Sequence, residues 1–321
     1  MAPPGRNTAL VVYRQATRRG GASNVPSPGG VPVNGSAGGG RGRVALRVRG
    51  ISSGLYGWTQ RRALDGLAAD VGAVLRDCAA AGLDAVELDP TPEVQPLLRA
   101  AGLKVSAVYV GAPLHLPWEE VGVEERVLPR ARRLAETGGV DLLVNADPKG
   151  GWGKALPKTA DEISQQGDNL SRIAALVAPL GLRVCFHNHA DEHARAVADL
   201  RSVIECAAPE VGLCVDTGWA HTARCDPLDW IRRYGTRVYA LHLRNQRGPV
   251  PTADLATGDL SMPALWEALA SAGYDGWLGM ELWHRKDTGA TVSMVEAARG
   301  SIALLRGLLG GGGSPARGVG G

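Results

Sequence analysis

The chain has 321 residues, 45% of them hydrophobic and 21% charged, and no uninterrupted apolar stretch long enough to cross a bilayer; this excludes a helical membrane protein and allows one large globular domain or two ordinary ones. The formal net charge of +3 averages two unlike regions, because residues 1–50 hold eight arginines and no acid, and subtracting those charges leaves −5 on residues 51–321. A nucleic-acid binder carries its cationic excess on the folded surface, so an acidic body argues against DNA or RNA as the partner.

In chain order, residues 1–43 are rich in Gly, Pro, Ala, Ser and Arg without hydrophobic periodicity, which predicts a disordered extension. An acid-free, Arg-rich start also fits an organelle transit segment, and a start codon assigned too early explains it equally well. Short apolar or β-branched runs at 44–51, 85–88, 104–110, 140–145, 182–187, 212–216, 238–243 and 277–282 then read as eight strands. Helical spacing of apolar residues lies between or after them, among others at 64–81, 119–137, 160–178, 194–206 and 291–308. Residues 310–321 predict a second flexible tail.

Eight βα units over 44–309 fit a single (β/α)8 TIM barrel, an α/β fold of roughly 250 residues, better than an open doubly wound sheet. Neither GxGxxG nor GxxxxGK[ST] opens a helix, so dinucleotide and nucleoside triphosphate sites lose their best support. Cys78, Cys185, Cys206, Cys214 and Cys225 form no CxxC pair, and their odd number within apolar runs predicts buried thiols in a reducing, cytoplasmic setting rather than a disulfide scaffold.

A barrel carries its chemistry at the carboxyl ends of its strands. The last four predicted strands end on His187, Asp216, His242 and Glu281, separated by 29, 26 and 39 residues, about one βα unit each. A single His or Asp at a strand end is more often a hydrogen-bonded structural group than a ligand, but four in phase converge on one place. Burying such residues in apolar strands is costly unless a cation pairs with them. Two imidazoles with two carboxylates suit Zn, Mn, Co or Fe as the divalent ion better than Ca.

These motifs, GISSGLYGW at 50–58, AVEL at 85–88, HNHADE at 187–192, VDTGWA at 215–220, LHLR at 241–244 and GWLGMEL at 276–282, resemble the xylose isomerase-like TIM barrel superfamily over about residues 50–308. Within it the chain is similar to the sugar phosphate isomerase/epimerase branch, in a HisAsnHis subgroup close to inosose dehydratases. The resemblance implies one divalent ion (Zn, Mn, Co, Fe or Mg) held by Asp216, His242 and Glu281, with His187 where the epimerases carry a glutamate and His189 and Glu192 as substitutes. It implies an enzyme that isomerises, epimerises or dehydrates a keto-sugar or polyol through an enediolate, with Glu281 both ligand and candidate base. His189 or Glu192 would be the opposing acid/base, and Arg244, where relatives often have lysine, would hold a developing oxyanion. A histidine in place of one glutamate removes the symmetry of an epimerase and suits a lyase.

Trp58, Trp152, Trp219 and Trp283 follow strand ends and are candidate walls of a carbohydrate site, each offering a ring face and an N–H. His221 could orient Asp216 or bind substrate, Glu87 could reach the pocket or pair inside the barrel, and His115 and Asn145 are candidate hydroxyl contacts. Ser52 and Ser53 lack a GxSxG elbow, which argues against a serine hydrolase. Two other readings stay open: a sugar-binding barrel that has lost catalysis, and a repair nuclease of the same superfamily, for which the chain offers too few additional ligands. A small carbohydrate is the expected partner, without nucleic acid or membrane, and a homo-oligomer is compatible with the sequence.

Overall fold

The computed structural model describes residues 46–152, 154–189 and 198–310. Eight parallel strands, β1 (Gly50–Gly54), β2 (Ala85–Glu87), β3 (Lys104–Ala112), β4 (Asp141–Ala146), β5 (Arg183–His187), β6 (Gly212–Asp216), β7 (Val238–His242) and β10 (Trp277–Met280), run in the order β10-β1-β2-β3-β4-β5-β6-β7. Leu243 closes the ring, donating its N–H to the Gly279 carbonyl at 2.6 Å and accepting from the Glu281 N–H at 3.0 Å. The expected TIM barrel is therefore the fold. The predicted tails lie outside the described residues, except that Gly310 still belongs to the last helix, Met294–Gly310.

The first strand differs from expectation. Val44, Leu46 and Val48 alternate as a strand should, yet the paired strand starts at Gly50, where Gly50 aligns with Trp277 and Ser52 with Ala85. GISSG has little strand propensity of its own, so its strand state comes from two flanking ladders, a tertiary override of local preference. A small antiparallel ribbon, β8 (Gln246–Arg247) with β9 (Val250–Pro251), was not expected either; it lies in the loop after β7.

The helices follow their caps. The apolar pattern at 64–81 is two helices, Tyr56–Leu64 and Val71–Ala81, because Gly66 takes φ 70° and Asp70 caps the second with its carboxylate on the Ala73 N–H. Gly122, at φ 73°, likewise breaks the stretch at 119–137 into Trp118–Val121, a π-type turn Val123–Val127 and Leu128–Glu136. Ala160–Val177 runs as predicted behind a capping box of Thr159 and Glu162. Of the helix expected at 194–206, the described part is Ala198–Arg201 and Ser202–Cys206. Gln95–Ala101, Thr217–Thr222, Pro227–Tyr234 and Met262–Ala272 are further helices. Among the described residues no helix is long and apolar enough to cross a membrane.

The main core lies between strands and helices and includes Ile51, Leu75, Leu142, Leu213, Ile231 and Ile302. A smaller cluster of Ala107, Leu143, Cys185, Cys214 and Ala240 fills the barrel interior. All five cysteines are free, and burial pushes the Cys185 and Cys214 thiols well above their usual range, as expected for inert core thiols. At the amino end of the barrel Arg183 pairs with buried Asp141 at 2.5 Å and donates to the Tyr239 carbonyl at 3.1 Å, which plugs the end remote from the site.

Helix Tyr56–Leu64 locks the seam between β1 and β10 through Gly57, where a Cβ would lie 1.8 Å from the Leu282 carbonyl oxygen. Backbone must move to admit any side chain there. Gly57→Ala is expected to lower stability by about 1–3 kcal/mol in denaturant titrations despite its better helix propensity. Gly300→Ala, in the last helix with no atom within 4 Å of the added methyl, should instead gain about 0.5–1 kcal/mol. An unchanged midpoint for Gly57→Ala would mean that this seam is not tightly packed.

Candidate metal centre

The register of the closing strands brings the predicted ligands together. Asp216 on β6 aligns with His242 on β7, and His187 on β5 aligns with Cys214, two residues before Asp216 on the same face. Glu281 follows β10 beside Leu243. One donor atom from each of His187, Asp216, His242 and Glu281 lies within 4.8 Å of the others. His187 Nε2 is 3.6 Å from Asp216 Oδ2, and His242 Nδ1 is 3.5 Å from Glu281 Oε2.

Each ligand is aimed by its neighbours. Asp216 caps helix Thr217–Thr222, spending Oδ1 on the Trp219 N–H at 2.8 Å and leaving Oδ2 toward the cluster. Asn188, between the two histidines, accepts from the Asp216 N–H at 2.8 Å and donates to the Asp216 carbonyl at 3.2 Å, pinning β5 to β6. Glu87 accepts from His242 Nε2 at 2.8 Å, which turns Nδ1 toward Asp216 and Glu281. Glu87 thus reaches the site from the second strand through His242.

The electrostatics call for a cation. Among the described residues, Glu87, Asp216 and Glu281 place three carboxylates in a largely buried cluster against one guanidinium, that of Arg244, which is 4% exposed. Burial alone would lower His242, but the Glu87 and Glu281 carboxylates hold it well above the usual imidazole range. Burial raises Glu281, and Arg244 and His242 more than reverse this and keep it ionised. His187 is pushed down, chiefly by burial. Both ring nitrogens of His187 and Nδ1 of His242 are buried without a hydrogen-bond partner, a costly arrangement, and His187 Nε2 and His242 Nδ1 face the carboxylates of Asp216 and Glu281. A divalent ion fits this donor set: with neutral imidazoles, it would balance the two negative charges left after Arg244 among the described residues, and one nitrogen from each of His187 and His242 would ligate it.

His189 stands beside this cluster, its ring 4.6 Å from that of His187. Its Nδ1 donates to Asn145 Oδ1 at 2.8 Å, the Asn145 amide being oriented by Nδ2 on the Ala146 carbonyl. Burial, then the neighbouring His187, hold His189 well below the usual imidazole range, hence neutral. Glu192 lies outside the described residues. Arg244 stacks 4.6 Å over Trp219, and an aromatic arc continues from Trp219 to Trp283 at 5.9 Å and on to Tyr56 at 5.6 Å, with Trp152 on the other side, 5.1 Å from His189.

Other expected contacts sit elsewhere. Trp58 is 2% exposed and gives its indole N–H to Ser53 Oγ at 2.9 Å, so it packs the first strand. His221 faces Asp259 at 3.3 Å near the surface and does not orient Asp216. Trp283 does border the site, but its N–H is spent on Gln60 Oε1 at 2.6 Å, leaving its ring face. Gln60 and Tyr56 carry no strand-end signal in the sequence, and only the docking of helix Tyr56–Leu64 brings them here.

The fold and donor set define a (β/α)8 barrel with a His/Asp/His/Glu group at its carboxyl end that could hold a metal ion. The profile of the Xylose isomerase-like TIM barrel family matches residues 75–308, and the chain belongs to that family. It is 25% identical over 142 residues to an inosose dehydratase of Lacticaseibacillus casei, a match covering 38% of this chain and 48% of that protein, so the chain spans about half the length of the curated relatives it matches. Its fold is shared with a sugar phosphate isomerase/epimerase from Parabacteroides distasonis (TM-score 0.60, 16% identity, 80% of this chain and 98% of that one). An L-ribulose 3-epimerase shares it too (TM-score 0.60, 18% identity, 81% and 94%).

Behind the ligands, His284 is buried between Arg61, which donates to its Nδ1 at 2.9 Å, and the Ala253 carbonyl, which accepts from its Nε2 at 2.8 Å. Burial pushes this imidazole below its usual range, opposed in part by the Ala253 contact and reinforced by Arg61. The native state therefore resists protonation while the unfolded chain takes up a proton below about pH 6.5, so this share of stability is complete above that pH and declines below it. In chelator-treated protein, the denaturation midpoint should fall less between pH 7 and pH 5 for His284→Gln than for the native chain. Equal falls would show that His284 is not held neutral.

Proposed function

We propose that this protein is a divalent-metal-dependent enzyme acting on a keto-sugar or cyclic polyol, by isomerisation or epimerisation or, as the reading we favour, by dehydration. The observation that carries it is the buried set of His187, Asp216, His242 and Glu281, with three imidazole nitrogens left without partners. When bound, the ion would supply a Lewis acid that polarises a substrate carbonyl.

The chain's own residues supply the remainder. Glu281, kept ionised by Arg244 and His242, is the candidate base for the carbon acid next to the carbonyl. His189 has its Nδ1 proton held by Asn145, so Nε2 carries the lone pair; it would take up a proton from water and deliver it to the leaving hydroxyl, balanced by the carbon-bound proton that Glu281 takes and returns to water. Trp219 and Trp283 offer ring faces to the apolar side of a sugar, and Trp152 closes the side next to His189. A carboxylate and an imidazole are unlike partners, which supports elimination over the reversible proton swap of an epimerase, in line with the similarity to an inosose dehydratase.

Dialysis followed by elemental analysis tests the metal. The native protein should retain about one divalent ion per chain, and Asp216→Ala and His242→Ala should each weaken it about a hundredfold or more, beyond what loss of a supporting residue costs. Retention of a full equivalent by both variants would refute the reading. In D₂O, the native enzyme should exchange the carbon-bound hydrogen beside the carbonyl in a panel of ketoses and inososes, and Glu281→Gln should abolish that exchange while keeping most of the fold, as judged by circular dichroism.

A further inference from the structure

Arg244 touches the very oxygens that the ligand set presents. Its Nη2 contacts Asp216 Oδ2 and lies 2.7 Å from Glu281 Oε2, and its Nε is 3.1 Å from Asp216 Oδ2. These two oxygens are also the ones nearest the imidazoles, Asp216 Oδ2 at 3.6 Å from His187 Nε2 and Glu281 Oε2 at 3.5 Å from His242 Nδ1. The guanidinium has little room to drift. Its backbone N–H donates to Thr217 Oγ1 at 3.0 Å, Thr217 Oγ1 donates back to the Arg244 carbonyl at 2.8 Å, Trp219 covers one face, and a Cβ on Gly218 would come within 3.0 Å of its stem.

We infer that Arg244 is an internal rival of the metal: it steadies the Asp216 and Glu281 carboxylates as a built-in counter-cation and, by occupying the same oxygens with the same sign of charge, holds the affinity of the site for a divalent ion down. This inference rests on the metal-dependent reading above. Its two effects have opposite signs. A buried carboxylate pair stripped of its guanidinium is left uncompensated, which costs stability, whereas a dication approaching that pair meets less repulsion and no competitor. A residue that merely supported the ligands would lower both stability and metal affinity when removed, so the pair of measurements separates the roles.

The test uses the full chain, stripped by chelator and titrated with Mn²⁺ by calorimetry, alongside thermal melts with and without Mn²⁺. Arg244→Met should bind about tenfold or more tightly than the native protein while its chelated form melts lower, so that Mn²⁺ raises its melting temperature by the larger increment. Arg244→Lys keeps the charge but loses the fork; its affinity should stay within about threefold of native, and this variant serves if Arg244→Met fails to fold. Weaker or unchanged Mn²⁺ binding by Arg244→Met, or an affinity of Arg244→Lys more than about tenfold from native, would overturn the inference with the metal reading intact. Failure of the native protein to bind Mn²⁺ at all would remove both.

Discussion

Among the described residues, three carboxylates meet at the carboxyl end of the barrel, and one guanidinium faces them. That imbalance governs the rest of the site. It draws His242 toward its charged form, and Arg244 together with that imidazole keeps Glu281 ionised in spite of burial, while three imidazole nitrogens stand without hydrogen-bond partners. A low-dielectric setting magnifies each of these effects, since water is not there to screen them. The closed ring of strands creates the problem by bringing Glu87 and His242 together across 155 residues of sequence, and it solves part of it by fixing where any balancing cation would sit.

The supporting groups are as specific as the ligands. Asp216 divides its two oxygens between a helix N-terminus and the cluster, and Asn188 clamps the same residue by its backbone. Glu87 chooses which nitrogen of His242 faces the other ligands, as a carboxylate behind a metal-binding histidine does. Gly57 and Gly218 contribute by having no side chain: one lets the first helix reach the end of β10, the other gives the stem of Arg244 its place.

What the sequence discloses follows from periodicity. Strand ends recur about once per βα unit, so His187, Asp216, His242 and Glu281 could be placed at one end of a barrel from their spacing, and β5 to β7 begin and end close to the expected positions. β1 lies later in the chain than its apolar run because its own residues are poor strand formers and its neighbours dictate its state. The partners of Trp58 and His221 escape the sequence for a related reason. Standing after a strand end puts a residue near the mouth but does not say whether its polar atom is already taken, by Ser53 in one case and Asp259 in the other. The locations of Gln60, Tyr56 and His284 depend on how a helix docks, which no spacing rule encodes.

The two sides of the ligand cluster are chemically unlike, and this asymmetry reaches beyond the choice of acid and base. On one side Glu281 is locked by a cation and by the strand that carries it; on the other, His189 leans on a neutral amide, Asn145, and on the edges of aromatic rings. A carboxylate held by a guanidinium keeps its charge through a turnover and is suited to one fixed task. Burial and the neighbouring His187 hold the His189 imidazole toward its neutral form, so a proton it picks up is readily passed on. That difference is what the proposed elimination would use, with one group taking a proton from carbon and the other handing one to a departing oxygen. Arg244 enters in the same way: it holds Glu281 ionised, the state that the proposed role of base requires.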